Sequence, residues 1–446
     1  MRTMPLGKLL LQMALPLAAS MLVQALYNVV DSIYVSRVSE NAVTALGLAF
    51  PIQNLQIGFA TGIGVGVNSL LSKSLGEGNQ EQANRAAGNG IVLALIASAM
   101  FMLFGIFGSH PYYAMQADVA EIVAGGSAYT SICSLFTLGI FIEILGERLL
   151  QASGRTVYSM LTQLIGALIN IVLDPLFIFG GFGIPAMGIA GAAVATVIGQ
   201  WIAAICAVIF NLKCNPDVSL RASYLRLRAA VVRPILTVGI PSIVMMAIGS
   251  VMNFGMNQIL LAFGALGTTA AGVFGIYYKL QSFFFMPVFG LNNASISIIA
   301  YNYGARQPSR ITGTLKRAVC AAMCMMLAGL VVFQFFPEAL LGIFEPSESF
   351  LAIGTSALRI ISIHFPLAAV GIVLGASFQA LGNGIYSTIT SLCRQLIILL
   401  PAAYLLSLTG NVHAVWWAFP IAEFVSLLVS VFLYSRIYRA KIRPLF

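Results

Sequence analysis

The sequence predicts an all-α polytopic membrane protein of twelve transmembrane helices in two six-helix pseudo-symmetric lobes. Hydrophobic residues make up 59% of the 446 residues and charged residues only 8%, against about 25% charged residues in an ordinary soluble domain. Apolar runs of about 20 residues, the length that crosses a bilayer as a helix, recur along the whole chain. These runs are continuous rather than alternating, which is not the pattern of transmembrane β-strands.

Twelve apolar runs are long enough to span a membrane. They lie at about 7–36, 45–72, 88–108, 119–146, 157–179, 187–212, 235–263, 268–300, 315–336, 350–378, 385–407 and 413–434. With both termini in the cytoplasm, 19 of the 23 Lys and Arg residues fall in inward-facing segments. Because cytoplasmic loops collect Lys and Arg, we expect that orientation. The net charge of +9 is thereby assigned to loops, and no basic and aromatic pattern indicates nucleic-acid binding.

The two halves of the chain resemble each other. Pro16 and Asn28 recur as Pro241 and Asn253, both at an offset of 225 residues (241 − 16 and 253 − 28). We therefore expect an N-terminal six-helix lobe at 1–212, a cytoplasmic linker at 213–233 and a C-terminal six-helix lobe at 234–446. Six spans per half make the repeat parallel, an architecture of transporters that bind substrate at the repeat interface.

The first span contains two residues that a membrane helix normally avoids. Pro16 removes a backbone hydrogen bond and bends the helix, so we expect a hinge there. Asp31 lies among Val and Ile residues, and an acid at membrane depth normally faces a cavity or a partner. Spacings of three and four place Gln24, Asn28 and Asp31 on one helical face. A water-exposed position for Asp31 at the membrane interface is the alternative.

The fifth span adds a second acid. Gln163, Asn170 and Asp174 share one helical face, and Pro175 follows directly. Two carboxylates in a low-dielectric pocket cannot both ionise at low cost, so either Asp31 or Asp174 is expected to hold a proton. Alternatively, the pair shares a small hard cation with amide and hydroxyl oxygens. A purely structural hydrogen-bonded pair is the third interpretation.

Two further features have local interpretations. Gly58, Gly62 and Gly66 in the second span form a doubled GxxxG motif, which predicts close helix packing within one lobe. Glu143 and Glu147 are predicted at the cytoplasmic end of the fourth span, where Arg148 can pair with either. The roles of Lys279, His364, Arg394 and Glu423 stay open.

Enzyme motifs are missing from the sequence. It contains no GxxxxGK[ST] loop, no HExxH and no GxSxG, so neither a nucleotide-driven pump nor a hydrolase is indicated. Cys320 and Cys324 lie one helical turn apart without a CxxC motif or a His partner, which favours buried thiols over a metal site. We expect no catalytic residue and no cofactor, and the energy source is then an ion gradient of H⁺ or Na⁺.

Six short motifs lie in order along nearly the full length of the chain. They are Pro16 with Gln24–Asp31 (QALYNVVD), Leu150–Gly154 (LQASG), Asn170–Pro175 (NIVLDP), Gly188–Ala193 (GIAGAA), Gln379–Asn383 (QALGN) and Pro420–Glu423 (PIAE). In these motifs the chain resembles the multidrug and toxic compound extrusion (MATE) family, and most closely its DinF-like bacterial branch.

The resemblance implies a secondary active antiporter that exports cationic amphiphilic compounds in exchange for H⁺ or Na⁺. It implies a central cleft, alternating access and a location in the bacterial cytoplasmic (inner) membrane. The family's coupling residues map onto Asp31, Asn170, Asp174 and Thr196. The resemblance therefore implies no metal ion other than Na⁺, which would bind at the first three. Another branch carries coupling acids in spans seven and ten, and this sequence lacks them.

The substrate site follows as an expectation. Bulky apolar cations would bind through aromatic and Met side chains, with Asp31 or Asp174 as counter-charge. The candidate lining residues are Gln24, Tyr27, Asn28, Gln53, Met256 and Met286. The alternative function is a lipid-linked saccharide flippase of the same superfamily, which would line its cleft with several Arg and Lys. We expect a monomer in the lipid bilayer, with small molecules and no nucleic acid as partners.

Overall fold

The computed structural model describes residues 2–344 and 347–446, without the side chains of Asn28, Val29, Ser32, Ser36, Glu40 and Val43. Over these residues the chain is almost entirely helical. The helices of the first half are α1 (Leu6–Ser36), α2 (Glu40–Gly76), α3 (Gln80–Phe107), α4 (Ser109–Ala114), α5 (Ala120–Leu135), α6 (Leu138–Ala152), α7 (Thr156–Phe179) and α8 (Ile189–Cys214). Those of the second half are α9 (Ala229–Leu261), α10 (Gly267–Gly304), α11 (Pro308–Phe335), α12 (Pro337–Gly342), α13 (Glu348–Ser362), α14 (Phe365–Ala380), α15 (Gly384–Leu392), α16 (Leu400–Ser407), α17 (Val412–Val415) and α18 (Ala418–Ile437).

The span count agrees with the sequence prediction. Ten helical segments of the described chain are long and apolar enough to cross a membrane, and two bent helix pairs complete twelve. The bent pairs are α5 with α6, at 48°, and α13 with α14, at 49°. The sequence predicts each of these as one apolar run, and the structure adds the bend. The all-α polytopic fold is therefore confirmed.

The two bends occupy equivalent positions in the repeat. Helix α5 ends at Leu135 and α13 at Ser362, while α6 begins at Leu138 and α14 at Phe365. Both pairs of residues are separated by 227 positions (362 − 135 and 365 − 138). The internal repeat therefore extends from the sequence motifs to the shape of individual spans.

Contacts group the residues into two compact units. The N-unit is Leu15–Ile243, and the C-unit is Met1–Ala14 with Val244–Phe446. The boundaries thus fall inside α1 and α9, not in the predicted linker at 213–233. Pro16 follows the first boundary by two residues, and Pro241 precedes the second by two. The six-helix lobes at 1–212 and 234–446 stay a prediction. In the contact-defined units, the first turns of α1 and of α9 each pack with residues from the other half of the sequence.

The start of α1 is fixed inside the C-unit by contacts to α11. Arg310 Nη2 donates to the Met4 carbonyl at 2.8 Å. A Cβ atom placed on Gly313 would lie 2.7 Å from Leu6 Cδ1, so α11 and the first residue of α1 are in close contact there. The first turns of α1 are therefore part of the C-unit.

The segment before α9 is fixed to α3 within the N-unit. Asn89 Nδ2 donates to the carbonyls of Tyr224 and Arg226, each at 3.2 Å, and its Oδ1 accepts from Arg228 N at 2.9 Å. Asn84 Oδ1 accepts from Ser219 N at 2.8 Å. Two asparagines of α3 thus satisfy backbone groups that lie outside regular helix, as buried or half-buried polar backbone requires.

Candidate functional site

A cavity of about 320 Å³ lies within the N-unit. Its lining combines amide and carboxyl side chains with aromatic and aliphatic ones from five spans, so polar and apolar groups face the same space. Asp31, Asn170 and Thr196 of the predicted coupling set line it, as do Gln24, Tyr27 and Gln53 of the predicted substrate set. At least half of the lining residues are polar, so the cavity is more polar than a typical small-molecule site, which is mostly apolar.

The two predicted acids meet beside this cavity. The carboxyls of Asp31 and Asp174 lie close enough to interact with each other, although they belong to α1 and α7. Asp174 is fully buried, and Oδ1 of each acid has no hydrogen-bond partner among the described residues. A hydrogen bond between two carboxyls requires a proton on one of them. The pair therefore has both a place for a proton and two free acceptor oxygens.

Asn170 and Thr196 complete this cluster. With the Asn170 amide oriented to satisfy its neighbours, Nδ2 donates to Asp174 Oδ2 at 2.9 Å and the amide oxygen accepts from Thr196 Oγ1 at 3.2 Å. Asn170 lies one helical turn before Asp174 on α7, while Thr196 comes from α8. The structure thus brings together all four residues of the predicted coupling set.

The predicted substrate residues divide between the two units. In the N-unit, Gln163 Nε2 donates to Gln24 Oε1 at 3.0 Å, and Gln53 Nε2 donates to the Tyr129 hydroxyl at 2.8 Å. Tyr27 lines the same cavity. The side chain of Asn28 lies outside the described residues. Met256 is fully buried in the C-unit, and Met286 is half-buried there. Neither Met lines the cavity of the N-unit.

Sequence reasoning missed a second acidic pair in the cavity. Glu143 and Glu147 of α6 both line it, and Glu147 is 9% exposed. The expected pairing with Arg148 is not what the structure has, because Arg148 Nη1 donates to Gln151 Oε1 at 3.0 Å. The signal that could have found them is the spacing: two acids four residues apart inside an apolar run share one helical face.

The C-unit contains a smaller cavity of about 110 Å³. It is lined by Arg394, which lies in the π-helical segment Cys393–Leu399, and by Glu423 of α18. Arg394 Nη1 lies 3.6 Å from Glu423 Oε1, and Glu423 is 4% exposed. Removing Arg394 would leave the buried Glu423 carboxyl without compensation. These two residues therefore hold each other in place.

The structure also places the remaining residues whose roles the sequence did not assign. His364 is buried at the bend between α13 and α14, with Nδ1 2.5 Å from the Ile361 carbonyl. Lys279 is exposed on α10. Cys320 and Cys324 are also exposed on α11, so the expectation of buried thiols there was wrong. Within the described ranges no group of three potential metal ligands occurs.

Comparison with known proteins gives a consistent assignment. The sequence profile of the MatE family matches residues 16–176 and 241–405, one region in each half. The chain is 22% identical over 427 residues to the multidrug export protein MepA of Staphylococcus haemolyticus, covering 96% of this chain and 92% of that protein. It is 24% identical over 436 residues to an FAD transporter of Shewanella oneidensis, covering 97% and 95%.

Solved structures match over nearly the whole length. One is a MATE protein in complex with MaL6, with a TM-score of 0.92 and 26% identity, covering 99% of this chain and 97% of that one. Another is a MOP superfamily transporter from Pyrococcus furiosus, with a TM-score of 0.91 and 25% identity, covering 99% and 96%. Because the family profile covers more than half of the residues, the chain belongs to the MatE (MATE) family of multi-pass membrane transporters, which are not enzymes.

Proposed function

We propose that the protein is a secondary active antiporter that exports cationic amphiphilic compounds in exchange for H⁺ or Na⁺ by alternating access. The observation that carries the proposal is the buried contact between Asp31 and Asp174 beside a ligand-sized cavity. Multidrug export by relatives such as MepA supports the substrate class. The protein acts on small molecules in the inner membrane, as a monomer with both termini in the cytoplasm.

The coupling ion binds at Asp31, Asn170 and Asp174, with Thr196 as the fourth member. Each carboxyl keeps one oxygen without a partner in the described part of the chain, so a proton or a Na⁺ ion gains an acceptor there. Carboxylate, amide and hydroxyl oxygens suit a hard cation as well as a proton. Either ion reduces the repulsion between the two acids, which is largest when both are charged.

Occupation of this site changes the bend of α1 at Pro16. Asp31 and Pro16 lie on the same helix, and the helix around Pro16 already lacks a backbone hydrogen bond. Changing its bend therefore costs less than breaking an intact helix. The ion must bind one bend more tightly than the other, since a ligand shifts an equilibrium only through such a difference.

The flippase alternative finds less support in the lining residues. A pyrophosphate carrier needs several unpaired cations, whereas the described lining of the C-unit cavity offers Arg394 already paired with Glu423. The N-unit cavity is acidic, which disfavours anions such as lipid pyrophosphates. The FAD transporter among the relatives makes an anionic dinucleotide the second compound to test.

The deciding experiment is transport by proteoliposomes with the pH and Na⁺ gradients imposed separately. We expect one of the two gradients to drive efflux of a cationic dye. This gradient-driven efflux should be lost in Asp31→Asn and in Asp174→Asn. Met256→Leu, a buried change in the C-unit, is the control and should keep transport. Coupled efflux at the wild-type rate in the double Asp variant would refute the coupling site. Transport of FAD or of lipid-linked sugars without dye transport would refute the drug assignment.

A further inference from the structure

Helix α6 places two carboxyls in the N-unit cavity that the coupling site does not use. Glu143 and Glu147 are four residues apart, so they lie one above the other on the same helical face. Both line the cavity. Glu147 is more than nine-tenths buried, and its Oε1 has no hydrogen-bond partner among the described residues. An acceptor in this position is unfavourable unless a ligand or a proton completes it.

The surroundings leave room for a ligand beside these acids. Gly166 of α7 faces Glu143, and a Cβ atom on this glycine would lie 3.7 Å from Glu143 Oε1. Ile140 and Ile144 of α6 line the same cavity, and Phe50 of α2 adds an aromatic ring. The two carboxyls therefore line a cavity that also has apolar surface, and the α7 residue that faces Glu143 carries no side chain.

The formal charge of this cluster is negative. Arg148 is buried next to Glu147 in sequence, but its Nη1 donates to Gln151 Oε1 at 3.0 Å. In the described part of the chain neither glutamate forms an ion pair with Arg148 within 4.0 Å. The formal charges of Glu143, Glu147 and Arg148 sum to −1, so a monocation neutralises the group.

We infer that Glu143 and Glu147 bind the cationic group of the substrate, separately from Asp31 and Asp174, which bind the coupling ion. This inference rests on the proposed function and adds the substrate class. Because Glu147 Oε1 lacks a donor, the preferred cations are protonated amines and amidines, whose N–H groups hydrogen-bond to a carboxylate. A cation without N–H groups gains only the charge attraction. The cavity volume of about 320 Å³ is at the lower end of the range for small-molecule sites.

Two probes of different chemistry test the assignment. The amidine dye DAPI carries N–H donors, whereas tetraphenylphosphonium is an apolar cation without them. Binding to the purified full-length protein is measured without any ion gradient. We expect Glu147→Gln to weaken DAPI binding by about 10-fold or more, the usual effect of losing a hydrogen bond to a charged group. The same variant should weaken tetraphenylphosphonium binding less, by about 3-fold. Glu143→Gln should also weaken the binding of both probes.

Stability separates a binding role from a structural one. Glu147→Gln removes a buried charge, so its unfolding temperature without ligand should be equal to or above that of the wild type, while the rise caused by DAPI disappears. Glu338→Gln, an exposed change in α12, is the matched control and should leave binding and stability unchanged. A Glu147→Gln protein that unfolds at lower temperature and still binds DAPI normally would show a structural role and overturn the inference.

The outcomes distinguish this inference from the function on which it rests. If the wild type binds and transports no cation, the proposed function fails. If the wild type binds and transports cations while the double Glu143→Gln, Glu147→Gln variant binds them equally well, only the present inference fails. The same holds if Asp31→Asn lowers DAPI affinity more than Glu147→Gln does, because the substrate charge would then lie at the aspartates.

Discussion

Gly66 of α2 lies so close to the backbone carbonyl of Ile235 in α9 that a methyl group has no space between them. One turn earlier, a Cβ atom on Gly62 would lie 2.7 Å from the Gly239 carbonyl. The Gly62 and Gly66 part of the doubled GxxxG motif thus lets two backbones approach, as such motifs do in membranes. Its partner is the start of the seventh span, which lies in the other predicted lobe, so the expectation of packing within one lobe at 1–212 was wrong. Both helices nevertheless belong to the N-unit.

Replacing this glycine should destabilise the protein. We expect Gly66→Ala to lower the free energy of unfolding by about 1–3 kcal/mol, because the added methyl forces the helix backbones apart. Gly275→Ala is the matched control, since a Cβ atom there meets no neighbour within 4 Å. Thermal unfolding in detergent measures both. Equal unfolding temperatures for the two variants would contradict this close packing.

The second prediction concerns the two prolines at the unit boundaries. Pro16→Ala restores a backbone donor in α1, and Pro241→Ala does the same in α9, so both helices should resist bending. We expect each variant to bind substrate with near wild-type affinity and to transport it several-fold more slowly. Pro287→Ala, inside α10 and remote from both boundaries in sequence, is the control. Full transport rates in the Pro16→Ala, Pro241→Ala double variant would exclude a hinge at these positions.

The third prediction concerns the ion pair in the C-unit. Arg394→Ala leaves the buried Glu423 carboxyl without its partner, so we expect a loss of about 3 kcal/mol of stability. Combining Arg394→Met with Glu423→Gln removes both charges and should recover most of it. Unfolding temperatures and coupled dye efflux of all variants are measured together. Gradient coupling that disappears in the stable double variant would instead move the coupling site into the C-unit.

The fourth prediction concerns orientation. With both termini in the cytoplasm, 19 of the 23 basic residues face inward. Because cytoplasmic loops collect Lys and Arg, we expect that orientation. A reporter enzyme that is active only in the periplasm should stay silent when fused after Phe446. A reporter that is active only in the cytoplasm should work at the same place. The opposite pattern would invert the assignment of every loop.

Part of the proposed coupling cluster was predictable from sequence because its signal is local. Asp31 and Asp174 are acids inside apolar runs, and helical periodicity places Asn170 on one face with Asp174. The family resemblance grouped these three with Thr196. The contact between α1 and α7 was a hypothesis from the cost of burying two carboxyls, and the structure contains it. Repeat offsets likewise indicated two related halves.

Other features depend on tertiary packing and carry no local signal. The bend between α5 and α6 falls at Phe136 and Thr137, where the sequence contains neither Pro nor Gly. Arg148 has Glu147 beside it and Gln151 three residues away, and only the packed structure decides that it bonds to Gln151. The sequence interpretation therefore placed Glu143 and Glu147 in an ion pair and overlooked them as cavity residues.

The placement of the first turns of α1 and α9 bears on whether either half of the chain can fold alone. Each half of the sequence begins with a helix whose start is packed in the unit formed by the other half. A chain cut between the halves would leave both helix starts without the residues that they pack against. Neither half on its own should therefore form a complete folded unit.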